Sequence, residues 1–501
     1  MSKAQKISDQ RGMIIPVILV MLAVFFIFAT SIMSWALQGR KSVMTKARDT
    51  KALQVAESGI NYYKWHLAHF EDDFKDGNSW CCQENPALSV SQCGGVCGPY
   101  AKDYTDYEGK KIGEYSLRIT PSLVGSTVLG IESTGRISED GKVNKTVNAR
   151  LGKKSLARYG LMVNGNMWVG STSTYSGPLH ANGGIRYDGN CNATVTSAAQ
   201  PSYDARSYGG SISQTAIWSP SPILECARNW LYPVPEIPFS LFSVDMSKIK
   251  DKSQSPAGAP EGIFLPYTGD LGYKGYQLVF NDNSTVTIDV VRITHTQVHY
   301  SNDGSNWAND LEQAGSPQKY TTPTNSTGIY PMPTNGLIFV EDDAWVSGTV
   351  NGRATVAASN PSRISDNARI IINGDIDYHK KANGDREETC VLGLMAKGDI
   401  LLPRHVPNGT DGTLNIDAVM LSQTGHVQRR LYSPVRKQDL LKIYGGVISY
   451  SSSGWAWYLG STFNDGFESR NAVYDGNLTF SPPPSFPTEG NFEVLSWSEK
   501  R

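Results

Sequence analysis

The sequence predicts a mainly β protein that carries one long N-terminal α-helix, with the β part ending in a right-handed parallel β-helix. Three observations predict it. Residues Met13 to Leu37 run without a charged side chain. The composition is that of turn-rich β structure, with 48 Gly, 26 Pro and 24 Tyr. Beyond residue 155 a turn-plus-strand signature recurs at short intervals.

The apolar run follows a polar start with Lys3, Lys6 and Arg11. About 25 helical residues rising ~1.5 Å each cross a hydrocarbon layer roughly 30 Å thick. A secretory apolar region of about 7–15 residues is shorter, and no small-residue cleavage site follows this one, so the segment is expected to stay attached. Arg40, Lys41, Lys46, Arg48 and Lys51 follow it, so charge on both flanks leaves the orientation open. Val43, Ala47, Leu53, Ala56, Ile60, Tyr63 and Leu67 then recur at three- and four-residue steps, which extends the helix as an amphipathic stalk over 13–70.

Arg11-Gly12 followed directly by Met13, the apolar helix, Ala47-Arg48-Asp49, and Ala52-Leu-Gln-Val-Ala-Glu-Ser-Gly-Ile60 together resemble the N-terminus of minor type IV pilins of the PilX and GspK kind. The match covers about the first 70 residues. The resemblance implies a leader over 1–12, cut by a prepilin peptidase between Gly12 and Met13. It further implies a helix that packs among other pilin helices in the lipid bilayer, with the body outside the cytoplasmic membrane. Most such pilins carry a glutamate five residues into the mature helix, where this chain has Val17 after Pro16. A carboxylate in hydrocarbon costs about 2.5–3.5 kcal/mol on insertion scales and needs a preceding subunit's amine to offset it. The resemblance to glutamate-lacking minor pilins therefore implies a tip or initiating position.

Tyr115–Ile119, Val128–Ile131 and Val143–Leu151 alternate with period two and read as an antiparallel meander over the helix stripe, giving a pilin-like headpiece over 71–154. Cys81, Cys82, Cys93 and Cys97 lie in its loop. They suit two disulfides or a four-thiolate zinc site; export favours disulfides, and adjacency of Cys81 and Cys82 weakens the metal reading. Cys191, Cys226 and Cys390 carry no local signal.

The recurring signature is Asn164-Gly, Asn182-Gly, Asn351-Gly, Asn373-Gly and Lys397-Gly, each feeding a short strand, with a weaker copy at Gly445-Gly446. Left-handed corners would explain the glycines. Apolar runs such as Leu337–Val340, Ile370–Ile372 and Ala418–Leu421 supply the other faces of each coil. First β-helix coils are expected over 155–231, an insertion with a hairpin over 232–334, the main β-helix over 335–480 and a proline-rich strap over 481–501.

For chemistry, His295 and His299 share a strand face without a third ligand, and Glu341, Asp342 and Asp343 could bind calcium or form a solvated turn before a strand. His180, Asp375 and Asp399 read as corner hydrogen-bonders. Trp345, Trp455, Trp457 and Tyr458 could line an adhesive or glycan-binding surface, some of them being core. A formal net charge of −1 and 19% charged residues give no field for nucleic acid. No nucleophile elbow, phosphate loop, dinucleotide fingerprint or zinc-protease motif occurs. The sequence thus reads as a structural subunit, not an enzyme, with no cofactor or metal. The alternatives are a β-helix that binds or degrades polysaccharide, and a pseudopilin of a secretion system.

Overall fold

The computed structural model describes residues 14–71, 73–82, 94–122, 126–138, 140–191, 193–220, 229–254, 262–269, 275–292, 298–310, 318–320, 328–361, 366–407 and 411–500. The fold is mainly β with one long N-terminal helix, and the chain divides into two units. One comprises Met1–Pro121, Leu129–Leu151 and Phe492–Arg501; the other comprises Ser122–Val128 and Gly152–Asn491.

In the first unit, α1 (Ile14–His69) is a single helix of 56 residues. Its C-terminal part lies on a five-stranded sheet ordered β1 (Cys97–Thr105), β2 (Lys111–Thr120), β3 (Val128–Ile137), β4 (Asp140–Ser155) and the C-terminal strand Thr488–Lys500. Ala52, Val55, Ala56, Ile60, Tyr63 and Leu67 are buried against Leu117, Ile119, Ile131, Val147 and Leu151. Side chains of this size contribute about 1.5–3 kcal/mol each when fully buried. Two glycines set how closely helix and sheet approach. A Cβ at Gly135 would fall 2.3 Å from the Ala52 carbonyl oxygen, and one at Gly59 would fall 2.4 Å from Ser133 Oγ. The packed stripe begins later than its sequence periodicity predicts: Val43 and Ala47 are exposed, and Ala52 and Val55 take the place of Leu53 at the sheet.

The second unit is a stack of parallel coils, each turning through up to three strands. Its first ladder runs, in spatial order, through Ile263–Leu265, Leu337–Val340, Arg353–Ala358, Val391–Ala396, the end of Thr413–Ser422, the end of Lys437–Ser449, Leu161–Val163, Leu179–Ala181, Val195–Ser197 and Trp230–Leu231. Numbering these coils 1 to 10 along the stack shows that the chain enters at coil 7, proceeds to coil 10, crosses back to coil 1 and winds forward to coil 6. The sequence order of the coils is therefore permuted relative to their spatial order.

The return crossing is made by residues 233–253. Asn182 grips it at Ile237, accepting from the Ile237 N–H at 2.9 Å and donating to its carbonyl at 2.7 Å. Further along, α2 (Phe242–Ser253) lies on the outside of coil 2, where Lys250 pairs with Glu341 at 2.5 Å. Ile338, Val340, Val356, Leu394, Met420, Val447, Leu161 and Leu179 face the solenoid interior. The alternate residues Phe339, Ala357, Met395, Leu421, Ile448 and Met162 face outward, beneath Met246 and Ile249 of α2 and Leu478 and Phe486 of the tail. Burial on both faces explains why these strands are continuous apolar runs.

Three expectations are corrected. The stretch 232–334 is more than an insertion: Ile263–Leu265 and Gly275–Asn281 stack in parallel on Leu337–Val340 and Asp343–Val350 as coil 1, while Thr285–Arg292 forms the hairpin partner. The tail acts as a strap only to Pro487, where Arg353 Nη2 donates to Ser481 O at 3.0 Å and Thr355 Oγ1 to Pro484 O at 2.6 Å. Past the last proline nothing blocks ladder bonding, and Thr488–Lys500 is a strand. The glycine signature also marks several different corners. Gly352 and Gly374 take positive φ, but Gly165, Gly183 and Gly398 do not. At two of these the coils come too close for a side chain: a Cβ at Gly183 would sit 2.3 Å from Asn166 Oδ1, and one at Gly398 would sit 2.5 Å from Asn367 O, whereas Gly165 has open space around it.

Candidate functional site

The helical segment Ile15 to Leu37 exposes an almost unbroken apolar surface, including Phe25, Phe26, Phe28, Met33, Trp35 and Leu37. It is long and apolar enough to cross a membrane by length and composition. Thr30 and Ser31 return their hydroxyls to carbonyls of Phe26 and Ile27, so these two hydroxyls are satisfied inside the helix. Gly12 and Met13, the residues read as a processing site, lie outside the described residues.

At the other end of α1 a charged cluster fixes the headpiece loop. Asp76, with a fully buried side chain, accepts from Tyr62 OH at 3.0 Å and pairs with Lys102 Nζ at 2.9 Å. Lys102 also donates to Tyr62 OH. Asp73 receives the backbone N–H groups of Lys75 and Gly77 and sits 3.0 Å from His66 Nε2. Burial alone would raise the Asp73 pKa, but these donors hold it below the usual carboxylate range. A disulfide joins Cys81 to Cys97, and Cys82 is also disulfide-bonded. Oxidised sulfurs are not thiolate ligands, so these three cysteines form no zinc site. Cys93 and Cys226 lie outside the described residues, and Cys390 is a buried free thiol.

On the solenoid, the acidic run 341–343 does not converge. Glu341 pairs with Lys250, Asp342 accepts from Thr268 Oγ1 at 2.6 Å, and Asp343 takes Arg369 through Nη2 at 2.6 Å. Among the described residues no group of three or more His, Cys, Asp or Glu is placed to hold a metal ion. His299 is exposed on the strand Val298–Ser301, and His295 lies outside the described residues. His180 is buried between Thr196 Oγ1 and Asn182 Oδ1, both at 2.9 Å, and burial lowers its pKa. Asp375 accepts the Asn415 N–H at 2.8 Å. Asp399 is buried, which opposes ionisation, yet contacts from His426 and Arg430 bring its pKa down to about 2.

The aromatic candidates separate. Trp345 is core, packed on Val291 and Ile371, and Trp455 is also buried. Trp345 alternates with the interior residues Ala344 and Val346 and is covered on the other side by Val291 and Ile371, whereas Trp455 joins the interior cluster. Trp457 donates to Arg429 O at 3.1 Å, and Tyr458 is exposed. Trp168, half-exposed on coil 7, carried no sequence signal beyond its place in a three-residue strand.

No protein-family model and no curated protein matches the chain. Among solved structures it is similar to the competence-associated pilin ComZ from Thermus thermophilus, at 12% identity and a TM-score of 0.27 over 90% of this chain and 97% of that one.

Proposed function

We propose that this chain is a membrane-anchored surface subunit of the type IV minor pilin kind, in which the apolar helix docks with other pilin helices and the solenoid is displayed outside the cell membrane. The single observation that carries it is the division of α1. Its first part is apolar and bare from Ile15 to Leu37, whereas its later part, from Ala52 to Leu67, is sealed by an antiparallel sheet. A bare apolar helix surface of this extent needs lipid or like helices around it. The Arg11-Gly12-Met13 sequence supports entry by prepilin processing, and Val17 in place of a glutamate supports a tip or initiating position. The role is structural and non-enzymatic. The partners are the prepilin peptidase, other pilins and the bilayer.

N-terminal sequencing of the mature protein from a membrane fraction tests this. A start at Met13 is the expected result, and an intact Met1 on membrane-bound protein would overturn it.

A further inference from the structure

The second ladder of the solenoid is broken at one coil. It runs through Gly275–Asn281, Asp343–Val350, Ile370–Tyr378, Ile400–Leu401 and Val427–Gln428, and resumes as a separate sheet of Met167–Val169, Ile185–Tyr187 and Ile217–Trp218. Coil 6, between them, instead follows an irregular path through Ser452, Ser453 and Gly454 and then leaves as the hairpin Ala456–Leu459 with Thr462–Val473. The gap forms a cavity of about 300 Å3.

Its floor is solenoid core, with Leu161, Val163 and Met167 reached through the gap. Trp168 and Tyr458, 52% and 44% exposed, are at its mouth, and Trp455, Tyr175 and Tyr208 also line it. The Trp168 ring is held in advance: Asp188 Oδ2 accepts its N–H at 2.8 Å, and the Arg186 guanidinium stacks over it at 4.5 Å.

The lining also restricts the ligand's charge. It holds no Asp, Glu, Lys or His, and one Arg. That residue, Arg470, already donates to Ser173 Oγ at 3.1 Å, to Phe467 O at 3.1 Å and to Thr172 Oγ1. A cation finds no carboxylate in this lining, and a phosphate finds a single guanidinium with three of its five N–H groups already bonded. A neutral ligand with an apolar face and a hydroxylated edge does fit, since aromatic rings take the first and Ser452 takes the second.

We infer that this gap is a binding site for a neutral saccharide unit of one or two rings, stacked at Trp168 and hydrogen-bonded by Ser452, which lines the cavity and is exposed. It binds without cleaving, because glycoside hydrolysis needs two carboxylates flanking the bond and the lining has none. The inference stands on the cavity and is independent of how the helix is anchored.

Intrinsic tryptophan fluorescence of the full chain in detergent, titrated separately with maltose, cellobiose and N,N′-diacetylchitobiose, tests it. Saturable change with at least one of them is expected. Trp168→Ala should weaken that binding by about tenfold or more, equivalent to ~1.4 kcal/mol. Ser452→Ala, at an exposed position of the lining, should weaken it without shifting the melting temperature, which separates ligand loss from misfolding. Saturation by none of the three would overturn the proposal, as would a Trp168-dependent response to a single-stranded oligonucleotide alone, or affinity unchanged in both variants.

Discussion

Leu161 and Val447 are in-register neighbours on one parallel ladder, which closes the seam between the first solenoid strand in the sequence and the last coil. Both are buried in the same interior cluster. Leu161→Ala should cost about 2–5 kcal/mol, as for other large-to-small core changes. Combined with Val447→Ala, it should show a coupling of roughly 0.5–3 kcal/mol in a double-mutant cycle by urea denaturation. Simple additivity would mean that the seam is not a packed contact.

Gly135→Ala tests the helix-to-sheet spacing of the headpiece. The added methyl would meet the Ala52 carbonyl oxygen at 2.3 Å and the Ala56 nitrogen at 2.4 Å, both backbone atoms that cannot swing away. Overpacking of this kind costs about 1–3 kcal/mol or more. The headpiece transition should fall in temperature on a calorimetric scan, whereas Gly476→Ala, at a position with open space, should leave it unmoved.

Arg429 is a fully buried cation in the solenoid. It lies 3.6 Å from the equally buried Asp465 and donates to the carbonyls of Pro403, Val406 and Arg436. Arg429→Met removes one partner of a buried pair and strips three carbonyls of a donor, so a loss of about 3–5 kcal/mol is expected in equilibrium unfolding. A loss below ~1 kcal/mol, the range of an exposed pair, would contradict the buried arrangement.

Acid should weaken the solenoid in two steps. Burial, together with Arg436 and Arg429, lowers His405 to about 4, and burial likewise lowers His180. Each is neutral when folded but binds a proton near 6.5 when unfolded, so between about 6.5 and 4 the unfolded chain takes up more protons and stability falls as pH falls. Asp399, held at about 2, adds a second loss below its unfolded value of ~3.9. Urea midpoints measured from pH 7 to about pH 2 should drop in both ranges, and His405→Gln should flatten the first step.

Much of the architecture was legible in the sequence because its signals are local. The charge-free run from Met13, the period-two strands of the headpiece and the short apolar runs of the coils each follow from a helix or strand having to hide one face. The permuted coil order was not legible, since nothing around Leu161 records that its neighbour is Val447. Long-range stacking also decided which aromatics are buried: Trp345 looked like a surface residue beside an acidic turn, yet Ile371 of the next coil covers it. At Gly183 and Gly398 the residue type was read correctly as special but for the wrong reason, because the limit there is a neighbouring coil and not the residue's own φ. Trp168 matters only because coil 6 lacks a strand beside it, and that gap is visible only after the coils are aligned.

The place where the chain joins its own stack has a cost in time. Leu161–Val163, Leu179–Ala181 and Val195–Ser197 are synthesised first, yet the strand that shields Leu161–Val163, the end of Lys437–Ser449, is made nearly last. Until it arrives, the early rungs present an unpaired edge of backbone donors and acceptors, the kind of template on which chains cross-pair. Maturation of this protein is thus paced by delivery of its final third, and any pause in synthesis between the two halves lengthens the interval in which one chain can adhere to another.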